Sequence, residues 1–454
     1  MMFSPTKNEA VGENRFRTYL TRENIRSFIS RSWSVSWPIT VMMFFEFLIG
    51  LTDVYIAGKV NKEVQATYGF VIQLYFIFIV IANALTVGTV SVVSRLFTSE
   101  EEEKLQEAIF SSMVTTTLAG IILAVGGVLF AQELIHLLNI PDALKQLSIP
   151  FIKVYAIGLA FHYILINSNG ILRSCHLVKY SLKTMTLVCA INILLNFFLV
   201  FHTPLGFQGI ALATALSVFI GSFVNLFYVT RLIGDTKRFS FRTIKKIVDI
   251  GWPMGLLQIL WQLSSIVLFL VLSHLPENKV EILAALTTGL RIESAIYLPA
   301  FAFNMANAVI IGNLLGEKKG KEAFRSGIVT AIIGVVIISI MAIAVVLNAR
   351  WITSFLSGNE IVIHESTKYL YISMISEPFM AWGIILGGGL NGAGDTRSVL
   401  MRVAISVWLV RIPLSIIFVI LFRFGAVSVW WSMNMSQFVQ AFLISKRYFS
   451  KEWF

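Results

Sequence analysis

Two carboxylates stand inside the first long apolar stretch of the chain, FFEFLIGLTDVY, where they could bind a cation. Glu46 and Asp53 are seven residues apart, which places them two turns apart on one face of a helix. An ionised Asp at the centre of a membrane helix costs about 2.5–3.5 kcal/mol, so such groups tend to be functional. We therefore expect this face to line a polar cavity. The alternatives are that Glu46 pairs with a neighbouring side chain and that Asp53 lies at the membrane interface.

Neutral polar side chains recur further along the same half of the chain. Asn192 and Asn196 are one helical turn apart, and Thr214 follows in the apolar segment GIALAT. Their carbonyl and hydroxyl oxygens can ligate a cation, and the same groups can form hydrogen bonds between membrane helices. Both interpretations are open from the residues alone.

The second half of the chain has its own ionisable residues within apolar segments. They are Arg291, Glu293, Glu377 and Arg411. Arg291 and Glu293 could pair with each other or with other helices. A buried Arg needs an acidic partner, and we expect Glu377 to be the partner of Arg411. This candidate polar site is either a structural salt bridge or a contact for a substrate.

The elements that must position these residues are helices that cross a membrane. Of the 454 residues, 56% are hydrophobic and only 13% are charged, a charged fraction roughly half that of a soluble protein. Apolar segments of about 20 residues, the length of a membrane-spanning helix, recur along the whole chain. We count twelve of them. The predicted fold class is an all-α integral membrane protein with twelve transmembrane helices.

The distribution of Lys and Arg predicts how the chain is oriented. If the N-terminus is cytoplasmic, 26 of the 36 Lys and Arg residues lie on the cytoplasmic side and 8 on the other. We therefore expect a multi-pass protein of the cell (inner or plasma) membrane with both termini in the cytoplasm. The same rule explains the net charge of +11 without nucleic acid as a partner.

An internal repeat relates the two halves at a nearly constant offset. Trp37 falls on Trp252, Asn192 on Arg411 and Gly209 on Gly425. Because six spans per half is an even number, the two six-helix lobes should be related by a pseudo-twofold axis along the membrane normal, a geometry typical of secondary transporters. The predicted regions are a basic amphipathic segment on the membrane surface (1–32), an N-lobe (33–230), a cytoplasmic linker (231–246), a C-lobe (247–445) and a cytoplasmic tail (446–454).

Motifs for other chemistries are missing from the sequence. Gly320-Lys321 lacks the other residues of a P-loop, so this chain should not use ATP directly. Cys175 and Cys189 form no metal-binding pair, and the six histidines are scattered. We expect no cofactor, no resident metal and no enzymatic activity.

Four stretches resemble the multidrug and toxic compound extrusion (MATE) family, in its bacterial and archaeal type. They are the pattern from Pro38 to Asp53, TPLGFQGIALATA at 203–215, GNLLGEKKGKEA at 312–323 and GGGLNGAGDTRSVLM at 387–401. The resemblance implies a monomeric multidrug efflux antiporter. It would export small amphiphilic, cationic compounds in exchange for H⁺ or Na⁺ by alternating access, in contact with membrane lipids.

The resemblance also implies a coupling site. Asp53 matches the coupling carboxylate on the family's first helix, and Asn192, Asn196 and Thr214 match its partners in one branch of the family. That branch has a second Asp where this chain has Asn196, so Glu46 is the remaining acidic candidate. A transient Na⁺ at Asp53 is the one metal ion that we expect.

Another branch of the family uses a Glu on the seventh helix and an Asp on the tenth. Trp261 and Met380 stand at those positions here. We therefore expect coupling in the first half of the chain.

Three alternative functions are open at this point. The first is a flippase or exporter of a lipid-linked molecule, which would favour a strongly basic cavity, whereas only Arg291 and Arg411 lie within spans. The second is a membrane enzyme, which would need a catalytic cluster that the sequence lacks. The third is a receptor or scaffold, which the repeat and the two carboxylates in the first span disfavour.

Overall fold

The computed structural model describes residues 22–99, 101–137, 142–234, 237–275 and 277–454, and within these ranges the chain forms helices joined by short turns. Twelve long helical segments, α1 to α12, follow one another, and a short helix, Ala131–Leu137, follows α3. Their bounds are α1 Arg22–Val60, α2 Lys62–Phe97, α3 Glu102–Leu129, α4 Asp142–Ser174, α5 Val178–Phe201, α6 Gln208–Ile233, α7 Phe241–Leu272, α8 Lys279–Gly316, α9 Gly320–Leu356, α10 Glu360–Ser373 with Glu377–Ala393, α11 Thr396–Leu421 and α12 Ala426–Phe449.

Length and apolar character identify most of these helices as membrane spans. Within the described ranges, ten helices are long and apolar enough to cross a bilayer, and the two pieces of α10, bent by 56° at their junction, count together as an eleventh. Helix α12 is more polar because it carries buried Ser, Asn and Gln side chains, among them Asn434, Gln437 and Gln440. The predicted all-α architecture of twelve helices in two lobes is confirmed.

Two predicted boundary regions take a definite form. Residues 22–32, the end of the predicted N-terminal segment, begin the continuous helix α1. Residues 1–21 lie outside the described part of the chain. In the predicted linker 231–246, α6 extends to Ile233 and α7 begins at Phe241, so residues 241–246 are already helical.

The helices pack as two bundles that meet along two seams. In the first bundle, α4 contacts α2, α3 and α6, and α1 lies against α5; in the second, α8 contacts α9 and α10, and α10 contacts α12. Between the bundles, α2 packs on α7 and α1 packs on α8. Because the number of spans is even, α1 begins and α12 ends on the same side of the molecule, which we call the terminal face.

Glycines allow close backbone approach at the seam between α2 and α7. A Cβ atom at Gly88 would overlap the carbonyl oxygen of Ile247, and one at Gly251 would overlap that of Ala84. Small residues at such crossings let membrane helices meet backbone to backbone. The α2–α7 seam therefore depends on these two glycines.

Hydrogen bonds join the two bundles toward the terminal face. Ser91 donates to the carbonyl oxygen of Gly392 over 3.1 Å, and Arg95 donates to that of Ala393 over 3.1 Å. Thr98 donates to the carbonyl oxygen of Asn313 over 2.6 Å. All three donors lie in the last two turns of α2 or just beyond its end. The bundles are thus closed against each other at the terminal face.

Candidate functional site

The Asp53 carboxylate is buried at the meeting point of α1, α2, α5 and α6. Its Oδ1 accepts a hydrogen bond from the Asn196 amide over 2.8 Å. Its Oδ2 accepts weaker ones from Thr214 over 3.3 Å and from Tyr68 over 3.4 Å. Three helices other than α1 therefore place a donor on this single carboxylate.

The two asparagines of α5 and the threonine of α6 form a network around Asp53. The amide nitrogen of Asn196 donates to Asn192 Oδ1 over 3.0 Å as well as to Asp53. The amide of Asn192 in turn donates to the Thr214 hydroxyl over 3.1 Å. Asn192 and Asn196 share a face because they are one turn apart. The sequence placed Asp53, Asn192, Asn196 and Thr214 together, and the structure brings these four side chains into contact.

The environment of Asp53 contains hydrogen-bond donors but no counter-charge. The donors are an amide and two hydroxyl groups, all neutral, and among the ion pairs of the described residues none involves Asp53. A carboxylate withdrawn from water without a cation nearby is costly in its ionised form. Such a group is stabilised when it takes up a proton or a small cation.

Two tyrosines at this site were not predicted from the sequence. Tyr68 on α2 donates to Asp53, and Tyr155 on α4 is buried beside the same group with no partner for its hydroxyl. The chain has 12 tyrosines, and nothing in their spacing distinguishes these two.

Glu46 is not part of this network. It lies two turns below Asp53 on α1, and its side chain is exposed although protein surrounds it on several sides. The positive charge of Arg173, near the end of α4, acts on it. The structure therefore does not bring Glu46 into the hydrogen-bonded network of Asp53, because the two carboxylates meet different neighbours along the same helix. A contribution of Glu46 to cation coupling stays a prediction.

A second cluster of ionisable residues is buried in the other bundle. Glu293 of α8 accepts a hydrogen bond from Tyr297 over 3.1 Å, and the charge of Arg411 acts on it. Glu377 begins the second piece of α10 and is close enough for the charge of Glu293 to act on it, while its Oε2 has no hydrogen-bond partner. Two carboxylates and one guanidinium thus share one buried site.

Arg411 is held in place by its backbone and by two neutral side chains. It ends a π-helical segment, Ile405–Arg411, within α11, a local irregularity that is frequent at functional sites. Its Nε donates to Ser436 over 2.8 Å, and its guanidinium lies 5.7 Å from the centre of the Trp261 ring. The acidic neighbour whose charge acts on Arg411 is Glu293, where the sequence analysis expected Glu377.

Arg291 lies apart from this cluster. Its side chain is exposed, whereas that of Glu293 is buried. Residues two positions apart on a helix point to nearly opposite sides, so the expected grouping of Arg291 with the other three residues is wrong. The described residues also contain no group of three or more His, Cys, Asp or Glu side chains that could hold a metal ion. A cation at Asp53 would therefore depend on amide and hydroxyl oxygens.

A protein-family model matches both halves of the chain. The family model described as MatE matches residues 38–198 and again residues 253–417. The first match begins at Pro38 and the second at Pro253, two residues that directly follow Trp37 and Trp252 and that the internal repeat pairs with each other. The repeat is therefore a duplication of one family unit.

Individual relatives cover nearly the whole chain at low identity. The uncharacterized transporter YisQ of Bacillus subtilis is 24% identical over 440 residues, covering 93% of this chain and 94% of that protein. The probable multidrug resistance protein NorM of Thermotoga maritima is 21% identical over 435 residues, covering 92% and 91%. The solved structure of a MOP superfamily transporter from Pyrococcus furiosus superposes with a TM-score of 0.85 at 18% identity, covering 94% and 97%.

Proposed function

Since the chain belongs to the MatE family of transporters, we propose that it is a secondary active multidrug antiporter that exports amphiphilic, cationic organic compounds in exchange for H⁺ or Na⁺. The observation that carries this proposal is Asp53, a buried carboxylate with three neutral donors and no counter-charge. Uptake of a cation removes the cost of the buried charge, and its release restores it. A site of this kind can couple ion movement to a conformational change.

The geometry around Asp53 favours the proton over Na⁺. The amide nitrogen of Asn196 bridges Asp53 and Asn192, so both acceptors hold the amide with its nitrogen toward the carboxylate. A sodium ion needs oxygen ligands, and the amide of Asn196 would have to turn over to supply one. A proton on Asp53 requires no such rearrangement, because the hydroxyl groups of Thr214 and Tyr68 can act as acceptors as well as donors.

The two bundles are suited to alternating access. Their contacts close the terminal face, and Asp53 lies about 10 Å from the other end of α1 at 1.5 Å per residue. We assign the terminal face to the cytoplasm of a cell membrane because most Lys and Arg residues lie there. The closed terminal face then corresponds to an outward-facing state, in which Asp53 exchanges its cation with the outside.

Glu46 is our candidate for the contact with a cationic substrate. It is an exposed carboxylate in the middle of α1, and Arg173, whose charge acts on it, also contacts Met305 of the other bundle. Glu46 therefore faces the space between the bundles, where a positively charged amphiphile could replace Arg173 as its partner. The substrate would be bound without covalent change, by a monomer surrounded by lipid.

Export of a lipid-linked molecule is the competing function. A strongly basic space between the bundles would favour it. Arg411 is instead engaged with Ser436, Trp261 and Glu293, and the charge of Arg173 is offset by that of Glu46. This arrangement does not favour a flippase.

The test is efflux of a fluorescent cationic dye from proteoliposomes, driven separately by a pH gradient and by a Na⁺ gradient. We expect the pH gradient to drive efflux by the wild-type protein and Asp53→Asn to abolish it. Glu293→Gln is the matched control, because it neutralises a buried carboxylate in the other bundle. If neither gradient moves any of several dyes, multidrug export is the wrong function and lipid-linked substrates are tested next.

A further inference from the structure

A pocket of about 430 Å³ opens on the terminal face at the seam between α1 and α8. Its positive side chains are Arg31 of α1, Arg173 at the end of α4 and Lys179 in the first turn of α5. The one acidic side chain is Glu317, which forms an ion pair with Lys319 over 2.8 Å. The charge of Glu46, outside the pocket, also acts on Arg173. With Glu317 paired to Lys319, the pocket still has more positive than negative charge.

Arg173 has unused hydrogen-bonding capacity in this pocket. Its Nε is buried without a partner, and its Nη1 contacts the sulfur of Met305, a weak acceptor, over 3.0 Å. A buried guanidinium without strong acceptors is costly, and an oxyanion is the ligand that satisfies it best. Burial and the nearby charge of Arg31 hold the pKa of His176 below its usual value, so the positive charge here comes from the Arg and Lys side chains.

A second pocket of about 400 Å³ lies on the same face within the second bundle, between the start of α7 and the turn that joins α10 to α11. It is lined by four basic side chains, namely Arg242, Lys245, Lys246 and Arg397. Of its two acidic residues, Asp395 forms an ion pair with Arg447 over 2.7 Å. Here, too, basic groups outnumber the acidic groups that could neutralise them.

The internal repeat relates the two pockets to each other. The offset that takes Trp37 to Trp252 also takes Arg31 to Lys246. The 218 residues between Lys179 and Arg397 lie within the range of the repeat offsets, which are 215 for Trp37 and Trp252 and 219 for Asn192 and Arg411. Each pocket is built from the terminal-face part of the first helix of a bundle and from the turn between its fourth and fifth helices. This repeated construction is an observation independent of either charge cluster alone.

We propose that each of these two pockets binds the phosphate group of an anionic ligand, and that anionic membrane phospholipids are the source. A phosphate oxyanion matches the fork of an Arg side chain and the charge of Lys. Anionic lipids are attracted to basic groups at the membrane surface by about 1 kcal/mol per residue. Tyr180 and Trp252, which are 38% and 43% exposed next to the two pockets, are residue types enriched at the level of lipid headgroups.

Lipid bound at these places would stabilise the closed terminal face. The α1–α8 pocket is lined by both bundles, since Asn313 and Glu317 of α8 complete it. All residues that line the second pocket belong to the second bundle, and one of them, Gly394, follows the residues that accept hydrogen bonds from Ser91 and Arg95 of the first bundle. This binding does not depend on the transport activity proposed above.

Native mass spectrometry of the full-length protein in detergent tests the binding. Phosphatidylglycerol and phosphatidylcholine are added separately to the wild type, to Arg31→Gln/Lys179→Gln and to Lys246→Gln/Arg397→Gln. We expect the wild type to retain two phosphatidylglycerol molecules in preference to phosphatidylcholine and each double variant to lose one of them. Arg31→Lys/Lys179→Arg preserves the charge, should keep both lipids and shows that loss reflects charge rather than misfolding.

The control is Arg231→Gln/Lys321→Gln, which removes two exposed basic residues of the terminal face outside both pockets. It should retain both lipids. A parallel arm adds inorganic phosphate to lipid-free protein and follows its melting temperature. If phosphate raises the melting temperature of the wild type but of neither pocket variant, and no lipid preference is found, the pockets bind free phosphate and the lipid source is wrong. Equal lipid loss in the control and the pocket variants, or no loss and no phosphate effect in any variant, contradicts the proposal.

Discussion

The two bundles of this transporter surround a buried carboxylate with different groups, neutral in one bundle and positively charged in the other. In the first bundle, Asp53 is surrounded by neutral donors. In the second bundle, the guanidinium of Arg411 is buried close enough to Glu293 for the two charges to act on each other. The repeat makes the comparison direct, because Arg411 stands at the position that corresponds to Asn192, and buried Leu268 stands where Asp53 would be.

Under the proposed function, this difference favours the first bundle as the one that exchanges a cation. Arg411 permanently supplies a positive charge in the second bundle, whereas Asp53 would take one from solution. The guanidinium offsets one of the two buried carboxylates there, so a further cation is stabilised less than at Asp53. Duplication has therefore given two homologous sites, and we expect one to be structural and the other to couple ion movement to transport.

The largest expected effect concerns stability in the second bundle. Arg411→Met leaves two buried carboxylates without compensation, which typically costs about 3–5 kcal/mol of unfolding free energy. We expect a much lower melting temperature and a low yield of folded protein. The double variant Arg411→Met/Glu293→Gln should recover most of the loss, and an unchanged melting temperature in Arg411→Met alone would contradict a structural role for the guanidinium.

The second effect is on transport through the first bundle. Asp53→Asn should reduce ion-driven dye efflux at least tenfold, equivalent to about 1.4 kcal/mol or more, because an amide cannot take up the coupling ion. Its melting temperature should stay the same or rise, since a buried charge without a counter-charge is removed. Proteoliposome efflux and thermal denaturation measure the two quantities on the same preparation. A fall in melting temperature as large as that of Arg411→Met would contradict the proposed difference between the two bundles.

A smaller, graded effect is expected among the donors to Asp53. Asn196 donates over 2.8 Å and Tyr68 over 3.4 Å, so Asn196→Leu should impair efflux more than Tyr68→Phe. Loss of a single hydrogen bond to a charged group costs about 1.5–3 kcal/mol, and the long contact from Tyr68 should cost less. Initial rates of dye efflux at several gradient strengths resolve the order, and the reverse order would show that the tyrosine is the main partner.

The smallest expected effect is at the aromatic ring beside Arg411. Trp261→Phe weakens the contact between the guanidinium and the ring, which is worth about 0.5–2 kcal/mol for Trp in a desolvated site. We expect a modest decrease in melting temperature and unchanged efflux. A loss of efflux here, with the protein still folded, would indicate that the second bundle takes part in coupling.

Much of the fold and the core of the first site could be predicted from the sequence. Apolar segments of membrane-spanning length indicated the helices, and the four-residue spacing of Asn192 and Asn196 indicated their common face. The partners contributed by other helices were harder to predict. Tyr68 and Tyr155 reach Asp53 through the register of α2 and α4 against α1, which depends on helix packing rather than on local pattern.

Three residues lie in surroundings that differ from the sequence-based expectations, and each difference has a simple physical reason. Glu46 shares a helical face with Asp53, but a long helix meets different neighbours two turns away, so one residue is buried and the other exposed. Arg291 and Glu293 are two residues apart, and the helical period alone indicates that they face apart. The π-helical turn that ends at Arg411 changes the helix face on which the Arg411 side chain lies. The local sequence carries no pattern that signals such a turn.

The proposal that Asp53 holds the ion exchanged for the substrate is tested most directly by ion release. Purified protein in weakly buffered detergent solution is mixed with a cationic dye substrate, and the pH change is recorded with an indicator; a parallel sample preloaded with radioactive Na⁺ is assayed for sodium release. We predict proton release from the wild type and from Glu293→Gln, and none from Asp53→Asn, with dye binding confirmed in all three. Undiminished release of protons or of Na⁺ from Asp53→Asn would contradict the claim.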